Sequence, residues 1–479
     1  MKLRRWQREA VSRCLSRFNS GQAHFLCLAT PGAGKTYMAS TVAKRLLDSG
    51  KIDYVFCFSP SLNVSVSFQA TLESVLRHRL DGLLGAKGKV LTYQSMLNLD
   101  EAFWSLFEDH RILVIFDEIH HCAGDQLRNA NAWGQKIIQH IQGKATYTLA
   151  LTGTPWRSDR IPIALTSYCH EGKVHCDYTY GLAQAIRDGV CRTPRVTGVD
   201  NEKITVQNGE KEDVYRSIED LLRFSRCTYQ QLLENTTLIR YLMEQSHQAL
   251  SAIRKTSPNA GGLIVAASVE HALLIATMLE SISGESPSIV TYMHENSQHA
   301  IQRFRESNTK WIVSVGMISE GTDIPRLQVC CHLTRVKTEL YFRQVLGRIL
   351  RVQKDGQEDA TLIMPAEPKL MAFANRVAED IPAANTVSRK VMKEGLLPPL
   401  TDMPEVQGTL DPTASSIDEI ADENEGDKQE SRLELASSGS GNEDDSSLPF
   451  NPLAEAYETS LGIFGRFRKR MIDISPVLG

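Results

Sequence analysis

The sequence predicts an α/β protein made of two parallel sheets covered by helices, followed by an acidic stretch that does not fold. Three observations predict this. Short apolar runs alternate with helical stretches over residues 1–165. The same alternation restarts at residue 261 without repeating the residue pattern. After Pro398 the composition turns to Asp, Glu, Ser and Gly with few aromatics. Continuous apolar strands between helices are what a parallel sheet buried on both faces requires, whereas an acidic, aromatic-poor stretch buries too little apolar surface to offset ordering.

In order, 23–30 reads as a buried strand and 36–50 as a helix. Residues 52–60 are the next strand, 64–78 the next helix, and 88–96, 111–118 and 145–154 three further strands. The stretch 178–190 reads as a strand end leading into a helix, and 211–257 as polar and helical with no strong strand. The second unit has strands at 261–268, 288–295, 311–319, 328–334 and 360–366, with helices at 269–282, 297–306 and 338–351. The expected organisation is a first domain over 1–165, a largely helical connector over 166–258 and a second domain over 259–398. A disordered acidic linker (399–449) and a basic, aromatic segment (450–479) with Phe464-Gly465-Arg466-Phe467-Arg468-Lys469-Arg470 complete the chain. That last segment docks on a partner, the tail or nucleic acid, or packs on the body as a short amphipathic helix.

Length, 479 residues, fits two or three domains. Hydrophobic residues are 42% and charged residues 23%, as in a globular protein, and no window reaches a membrane span. The N-terminus lacks the apolar core of a signal peptide. Ten cysteines are scattered, several inside apolar runs (Cys27, Cys57, Cys330, Cys331), which suits reduced thiols in a cytoplasmic protein. Residues 401–450 hold 14 acidic side chains against Lys428 and Arg432, a balance of −12, so the rest of the chain carries +8. A basic body with an acidic segment is compatible with binding a polyanion. Of the Cys and His clusters, His120-His121-Cys122 cannot converge on one ion, and Cys169 to Cys176 lacks the spacing of a zinc module.

Two motifs carry chemistry. Ala29-Thr30-Pro31-Gly32-Ala33-Gly34-Lys35-Thr36 lies between a strand and a helix. Glycines let backbone N–H groups turn toward phosphate oxygens, and the helix N-terminus adds positive potential. Lys35 is placed to reach the β- and γ-phosphates and Thr36 to hold Mg²⁺. Ala29 stands where the phosphate-loop pattern has its first glycine. Downstream, an apolar strand delivers Asp117-Glu118-Ile119-His120 at its C-terminal end, where open α/β sheets bind ligands. Asp117 is the candidate Mg²⁺ ligand and Glu118 the candidate for polarising an attacking water. His120 either senses the γ-phosphate or bonds to a neighbouring motif.

With these motifs placed, the chain resembles a superfamily 2 helicase, and the resemblance implies two tandem RecA-like domains, ATP and Mg²⁺ as cofactors, and nucleic acid as partner. It covers residues 1 to about 370. Leu3-Arg4-Arg5-Trp6-Gln7 is similar to the LRxxQ motif, which implies that Gln7 reads the adenine edge, with Trp6 under the base or in the core. Ser59-Pro60 and Thr92-Tyr93-Gln94-Ser95 resemble motifs that track the nucleic-acid backbone. Leu151-Thr152-Gly153-Thr154-Pro155 resembles the LTATP coupling motif, with Gly153 for its small central residue. Gly316 to Pro325, containing Gly321, Thr322 and Asp323, is similar to the motif ending EGxDxP, which touches nucleic acid and the ATP side. Gln344-Val345-Leu346-Gly347-Arg348-Ile349-Leu350-Arg351 fits QxxGRxxR, and the family role implied for Arg348 and Arg351 is that of arginine fingers on the γ-phosphate. The acidic box and the Asp177–Val190 stretch resemble the branch of restriction motors and XPB-like and UvsW-like translocases.

The resemblance predicts an ATP-driven helicase or translocase, acting on DNA in preference to RNA. The alternative is a nucleic-acid-stimulated ATPase subunit of a restriction, repair or defence complex that senses or translocates without separating strands. The sequence shows no convincing nuclease motif, so cutting would need a nuclease partner.

Overall fold

The structure, a computed structural model, describes residues 3–155, 157, 161–170, 174–208, 211–292, 297–316, 324–352, 359–379 and 459–474. The acidic stretch 399–449 and Gly321, Thr322 and Asp323 lie outside the described residues.

The chain opens with α1 (Arg5–Asn19), whose Trp6, Ala10, Val11, Cys14 and Phe18 form one buried face. Then follow β1 (His24–Ala29), α2 (Lys35–Asp48), β2 (Tyr54–Ser59), α3 (Leu62–Leu76) and β3 (Gly88–Thr92). Next are α4 (Glu101–Asp109), β4 (Ile112–Phe116), α5 (Ala132–Lys136), β5 (Tyr147–Thr152) and β6 (Tyr178–Tyr180). The six strands form a parallel sheet in the order β3-β2-β4-β5-β1-β6. Every residue of β4 is buried, which is why this run reads as unbroken apolar sequence.

After α6 (Leu182–Arg187) come β7 (Thr193–Asn201), β8 (Ile204–Asn208), β9 (Lys211–Tyr215), α7 (Ile218–Phe224), α8 (Tyr229–Glu234) and α9 (Thr236–Arg254). The next elements are β10 (Gly261–Val265), α10 (Val269–Ser283), β11 (Ser288–Thr291), α11 (Ser297–Glu306), β12 (Trp311–Val315) and β13 (Leu327–His332). Finally come α12 (Glu339–Ile349), β14 (Asp359–Pro365), α13 (Pro368–Glu379), β15 (Thr459–Ile463) and β16 (Phe467–Asp473). The second sheet runs β11-β12-β10-β13-β14-β7-β16, parallel except for β16. A small antiparallel sheet, β15-β8-β9, lies in the same unit. These are the two helix-covered parallel sheets expected of tandem RecA-like domains.

Two expectations need correction. The 166–258 stretch is not simply a helical connector. Its β6 closes the edge of the first sheet, and its β7 pairs with β14 over seven residues of the second. The β7 sequence, TPRVTGVDN, holds Pro194, Gly198 and a buried polar end, Asp200-Asn201, so it lacks the apolar run that marks the other core strands. The other correction concerns the C-terminal segment, which does not form an amphipathic helix. Residues 459–463 and 467–473 are strands, and β16 pairs antiparallel with β7. Its alternating Arg and Lys suit a sheet edge, where outward charges oppose further pairing.

All ten cysteines are free, eight of them buried. Among the described residues no helix is long and apolar enough to cross a membrane. Nor, among them, do three or more His, Cys, Asp or Glu side chains gather as a metal would require. Tyr168 and Val174 bridge antiparallel across the Cys169–Cys176 stretch, whose residues 171–173 lie outside the described residues.

A candidate nucleotide cleft between the two sheets

The phosphate loop follows β1 and ends at Gly34, which caps α2 with φ 95°, a left-handed conformation open to glycine at little cost. No acidic residue occupies the first turn of α2, so nothing from its own helix offsets the positive N-terminus. Lys35 Nζ pairs with Glu118 Oε1 at 2.8 Å and donates to Ala29 O at 3.3 Å.

Glu118 sits just past β4 with φ 51° and ψ 54°, left-handed without being glycine. Such a conformation costs about 1–3 kcal/mol and persists where the surroundings enforce it. Glu118 Oε2 accepts the Gly153 N–H at 3.0 Å, and His120 Nδ1 lies 3.4 Å from the same oxygen. Burial pushes the Glu118 carboxyl upward, but Lys35, His120 and the two hydrogen bonds outweigh it and hold the group well below the usual carboxylate range. His120 Nδ1 also bonds Thr152 Oγ1 at 3.1 Å, and Thr152 Oγ1 donates to Thr154 O at 2.9 Å. His120 therefore bonds to a neighbouring motif, as one of its two readings expected. Asp117 is buried beside them, its backbone N–H donating to Phe58 O at 2.9 Å and its own carbonyl accepting from Tyr93 Oη at 2.8 Å. The phosphate loop, the acidic box and the Thr152–Thr154 motif thus meet through side chains.

Gln7 lies behind the loop, buried. Its Nε2 donates to Gly34 O at 3.0 Å and its Oε1 accepts the Arg4 N–H at 2.8 Å. Arg4 Nη1 donates to Ala33 O at 2.8 Å. Trp6 takes the core alternative, stacked on Tyr180 with ring centroids 4.8 Å apart. Ser59, expected to touch nucleic acid, is fully buried with its Oγ 2.7 Å from Ser65 Oγ. At that position only the neighbouring Pro60 reaches the cleft.

The second wall is α12. Its buried Phe342, Val345, Leu346 and Ile349 seat it on the second sheet, which turns Gln344 and Arg348 the other way. One cavity of about 360 Å³ is lined by Pro31, Gly32, Gly34, Lys35, Thr36, Asp117, Glu118, His120, Gly153 and Thr154 from the first side. Gln344, Arg348 and Arg351 line it from the second. The walls touch. A Cβ at Gly347 would lie 2.8 Å from Pro31 Cβ, and one at Gly32 would lie 2.8 Å from Arg351 Cγ. Within the loop, Thr30 and Ala33 are buried. Of the motif around residues 316–325, Pro325 lines the cavity. Among the lining residues that sequence reasoning missed are Arg4, Val64, Phe68, Val190 and Val352. Arg4 and Val190 lie inside stretches that the sequence marks, where other residues carry the pattern, and the remaining three are single residues outside the recognised patterns.

Residues 1–157 match the family of the type III restriction enzyme res subunit, and residues 244–353 match the helicase conserved C-terminal domain. The two matched segments lie in the order of the two sheets, a restriction-type helicase segment first and a helicase C-terminal segment second. It is similar to an uncharacterised protein of Mycobacterium leprae (strain TN), 32% identical over 390 residues, covering 78% of this chain and 64% of that protein. An uncharacterised protein of Mycobacterium tuberculosis (strain H37Rv) is 31% identical, covering 78% and 63%. The chain thus spans just under two thirds of the length of these curated relatives. Among solved structures, a fragment described as the HsdR subunit of a type I restriction enzyme from Vibrio vulnificus YJ016 superposes with a TM-score of 0.54. The two are 17% identical, over 78% of this chain and 65% of that one. The DNA-bound Type ISP restriction-modification enzyme LlaBIII gives a TM-score of 0.52 at 15% identity, over 80% and 30%. At these identities the two structures bear on fold alone.

Proposed function

We propose that this chain hydrolyses ATP in the cleft and couples hydrolysis to movement along a nucleic-acid backbone, DNA in preference to RNA. One observation carries the reading: Lys35, Thr36, Asp117 and Glu118 from one sheet face Gln344, Arg348 and Arg351 from the other around a single cavity. The loop suits phosphates because a left-handed glycine, a helix N-terminus without acids and a lysine converge there. Thr36 and the buried Asp117 both line the cavity and form a hard-oxygen pair suited to Mg²⁺, which when bound would offset phosphate charge. Lys35 and Glu118 neutralise each other across 2.8 Å. Phosphates entering the loop draw Lys35 away and free Glu118 to orient a water and accept its proton. Arg348 and Arg351 meet the charge that develops on the transferred phosphoryl group. Because the two walls belong to different sheets, hydrolysis requires closure, and each cycle can advance one domain relative to the other. Gln7 is the candidate for recognising the adenine edge, and its reach is set by the Gly34 carbonyl it now bonds.

The match to a restriction-enzyme subunit over residues 1–157 favours a second reading. Here the chain is the ATPase of a restriction, repair or defence complex that translocates or senses without separating strands, with a nuclease or repair subunit as partner. Ten free thiols support a reducing, cytoplasmic setting. ATPase rates with single-stranded DNA, duplex DNA, branched DNA and RNA, followed by strand displacement on the best of them, separate the readings. Stimulation should fall steeply with salt, because phosphate contacts release counterions. A rate indifferent to every polymer would sink the motor.

A further inference from the structure

Both cleft arginines sit at the C-terminal end of α12, and that end is held by residues outside every recognised motif. The helix stops at Ile349, and its last carbonyls have no partner within the helix. They are met by the stretch that crosses from the first sheet to the second. The Arg192 backbone N–H donates to Leu350 O at 2.8 Å. Its Nη1 donates to Leu327 O at 2.8 Å and to Ile349 O at 3.2 Å, and its Nη2 donates to Pro325 O at 3.1 Å. The residue is 1% exposed. Its neighbour Cys191 forms an antiparallel bridge with Arg351, and Val190 lines the cleft.

A guanidinium is the side chain that can serve several carbonyls at fixed angles while staying charged. Its charge also suits the negative end of a helix dipole. Arg192 therefore joins three places: the end of α12, the start of β13 and the Pro325 turn, which itself lines the cleft. It does so from the crossing between β6 and β7, so any change in how that crossing is seated reaches α12 through it.

We propose that Arg192 is a positioning residue that sets the placement of Arg348 and Arg351 and links it to the crossing between the two sheets. This rests on reading the cleft as an ATPase site. The test is the nucleic-acid-stimulated kcat and the KM for ATP of the full chain and of Arg192→Met, Arg192→Lys, Arg351→Ala and the Arg192→Met/Arg351→Ala double variant. Circular dichroism and thermal melting give the folded fraction of each. Arg192→Lys keeps the buried cation but not the fork, so it reads the effect even where methionine prevents folding. Arg192→Met should lower kcat per folded molecule on the order of 10–10²-fold, the scale of an ångström misplacement. The lysine variant should fall between, and KM should stay within about twofold, since substrate binding is left intact. The double variant should lose less than the product of the two single losses, because Arg192 acts in part through Arg351. Unchanged kcat in folded Arg192→Lys and Arg192→Met, or losses that multiply in the double variant, overturns the assignment and leaves the ATPase reading standing. Absence of turnover in the wild type overturns both.

Discussion

The two sheets that bound the cleft are built differently. The first draws its strands from one continuous stretch, residues 24–180, and its functional side chains bond to one another: Lys35 to Glu118, Glu118 to the Gly153 N–H, and His120 to Thr152. The second is assembled from three stretches, β7 before its central strands and β16 more than a hundred residues after α12. Its contribution to the cleft is a helix end held by Arg192 from the crossing. The first wall is thus a pre-assembled charge network, and the second is a placement maintained by distant segments. Damage to the first should remove chemistry, damage to the second should degrade geometry, and damage to the outer edge of the second sheet should cost stability without touching the rate.

The largest effect is expected at Lys35. Lys35→Ala removes the loop cation and leaves Glu118 facing the Gly153 N–H and His120 alone. ATP turnover should fall at least on the order of 10²–10³-fold. Turnover equal to the parent in a steady-state ATPase assay would end the phosphate-loop reading. Glu118→Gln is the companion. It should bind a labelled ATP analogue with similar affinity yet turn over on the order of 10²-fold more slowly, because an amide keeps the shape and cannot accept a proton. Its pH dependence has a definite sign. The folded Glu118 carboxyl is held below its ordinary value of 4.5, so it adds stability at pH above that value, lost as the pH falls toward the folded pKa. The melting-temperature gap between parent and Glu118→Gln should therefore narrow between about pH 5 and pH 3. A gap that widens on acidification contradicts the Lys35–Glu118 pairing.

A smaller effect is expected where the walls touch. A methyl at Gly347 would sit 2.8 Å from Pro31 Cβ, and neither side is a flexible chain end. Gly347→Ala should push α12 away from the loop and lower kcat about tenfold, with far less effect on nucleotide binding than Lys35→Ala. Equal losses in binding and rate would mean that the second wall takes part in ground-state binding and that the contrast between the walls is weaker than drawn.

How far each part was legible in the sequence follows the same division. The strands β1, β2, β4 and β5 are buried on both faces, so their apolar runs could be read directly, and the carboxylates at the end of β4 came with them. The lysine, threonine and arginines of the cleft were legible because chemistry fixes both their type and their spacing. Strand β7 was missed because pairing, not an apolar run, makes it a strand. Its Asp200 and Asn201 are buried on hydrogen bonds to residues 218 and 465, which no local window contains. Strand β16, Phe467–Asp473, carries four consecutive exposed residues beside a Phe467 stacked on Tyr241, 4.0 Å between centroids, a pattern that reads equally as a docking segment or a short amphipathic helix. Arg192 gave no signal, because the backbone carbonyls of Leu327, Ile349 and Pro325 that it serves have no sequence signature.

The last and smallest effect lies at that outer edge. Asp200, at the end of β7, is buried. Its Oδ1 accepts the N–H groups of Asn201 at 2.9 Å and Ile218 at 2.7 Å, and its Oδ2 pairs with Arg470 of β16 at 3.0 Å. Arg470 is half exposed, with 53% of its side chain in solvent, so water screens its side of the pair. Arg470→Ala should therefore cost only about 0–1 kcal/mol. Asp200→Ala should cost more, about 1–3 kcal/mol for each buried N–H left without an acceptor. Asp200→Asn keeps an oxygen for those donors and should fall between the two. Each kcal/mol lowers the melting temperature by about 2–4 °C for a unit of 150–250 residues, so thermal melting orders the three variants. In all of them kcat per folded molecule should equal the parent's, since Asp200 and Arg470 do not line the cleft. A fall in kcat with Asp200→Ala would show that the β7 edge reaches the arginines through Arg192, which immediately precedes the other end of that strand, and the separation between placement and stability would have to be redrawn along β7.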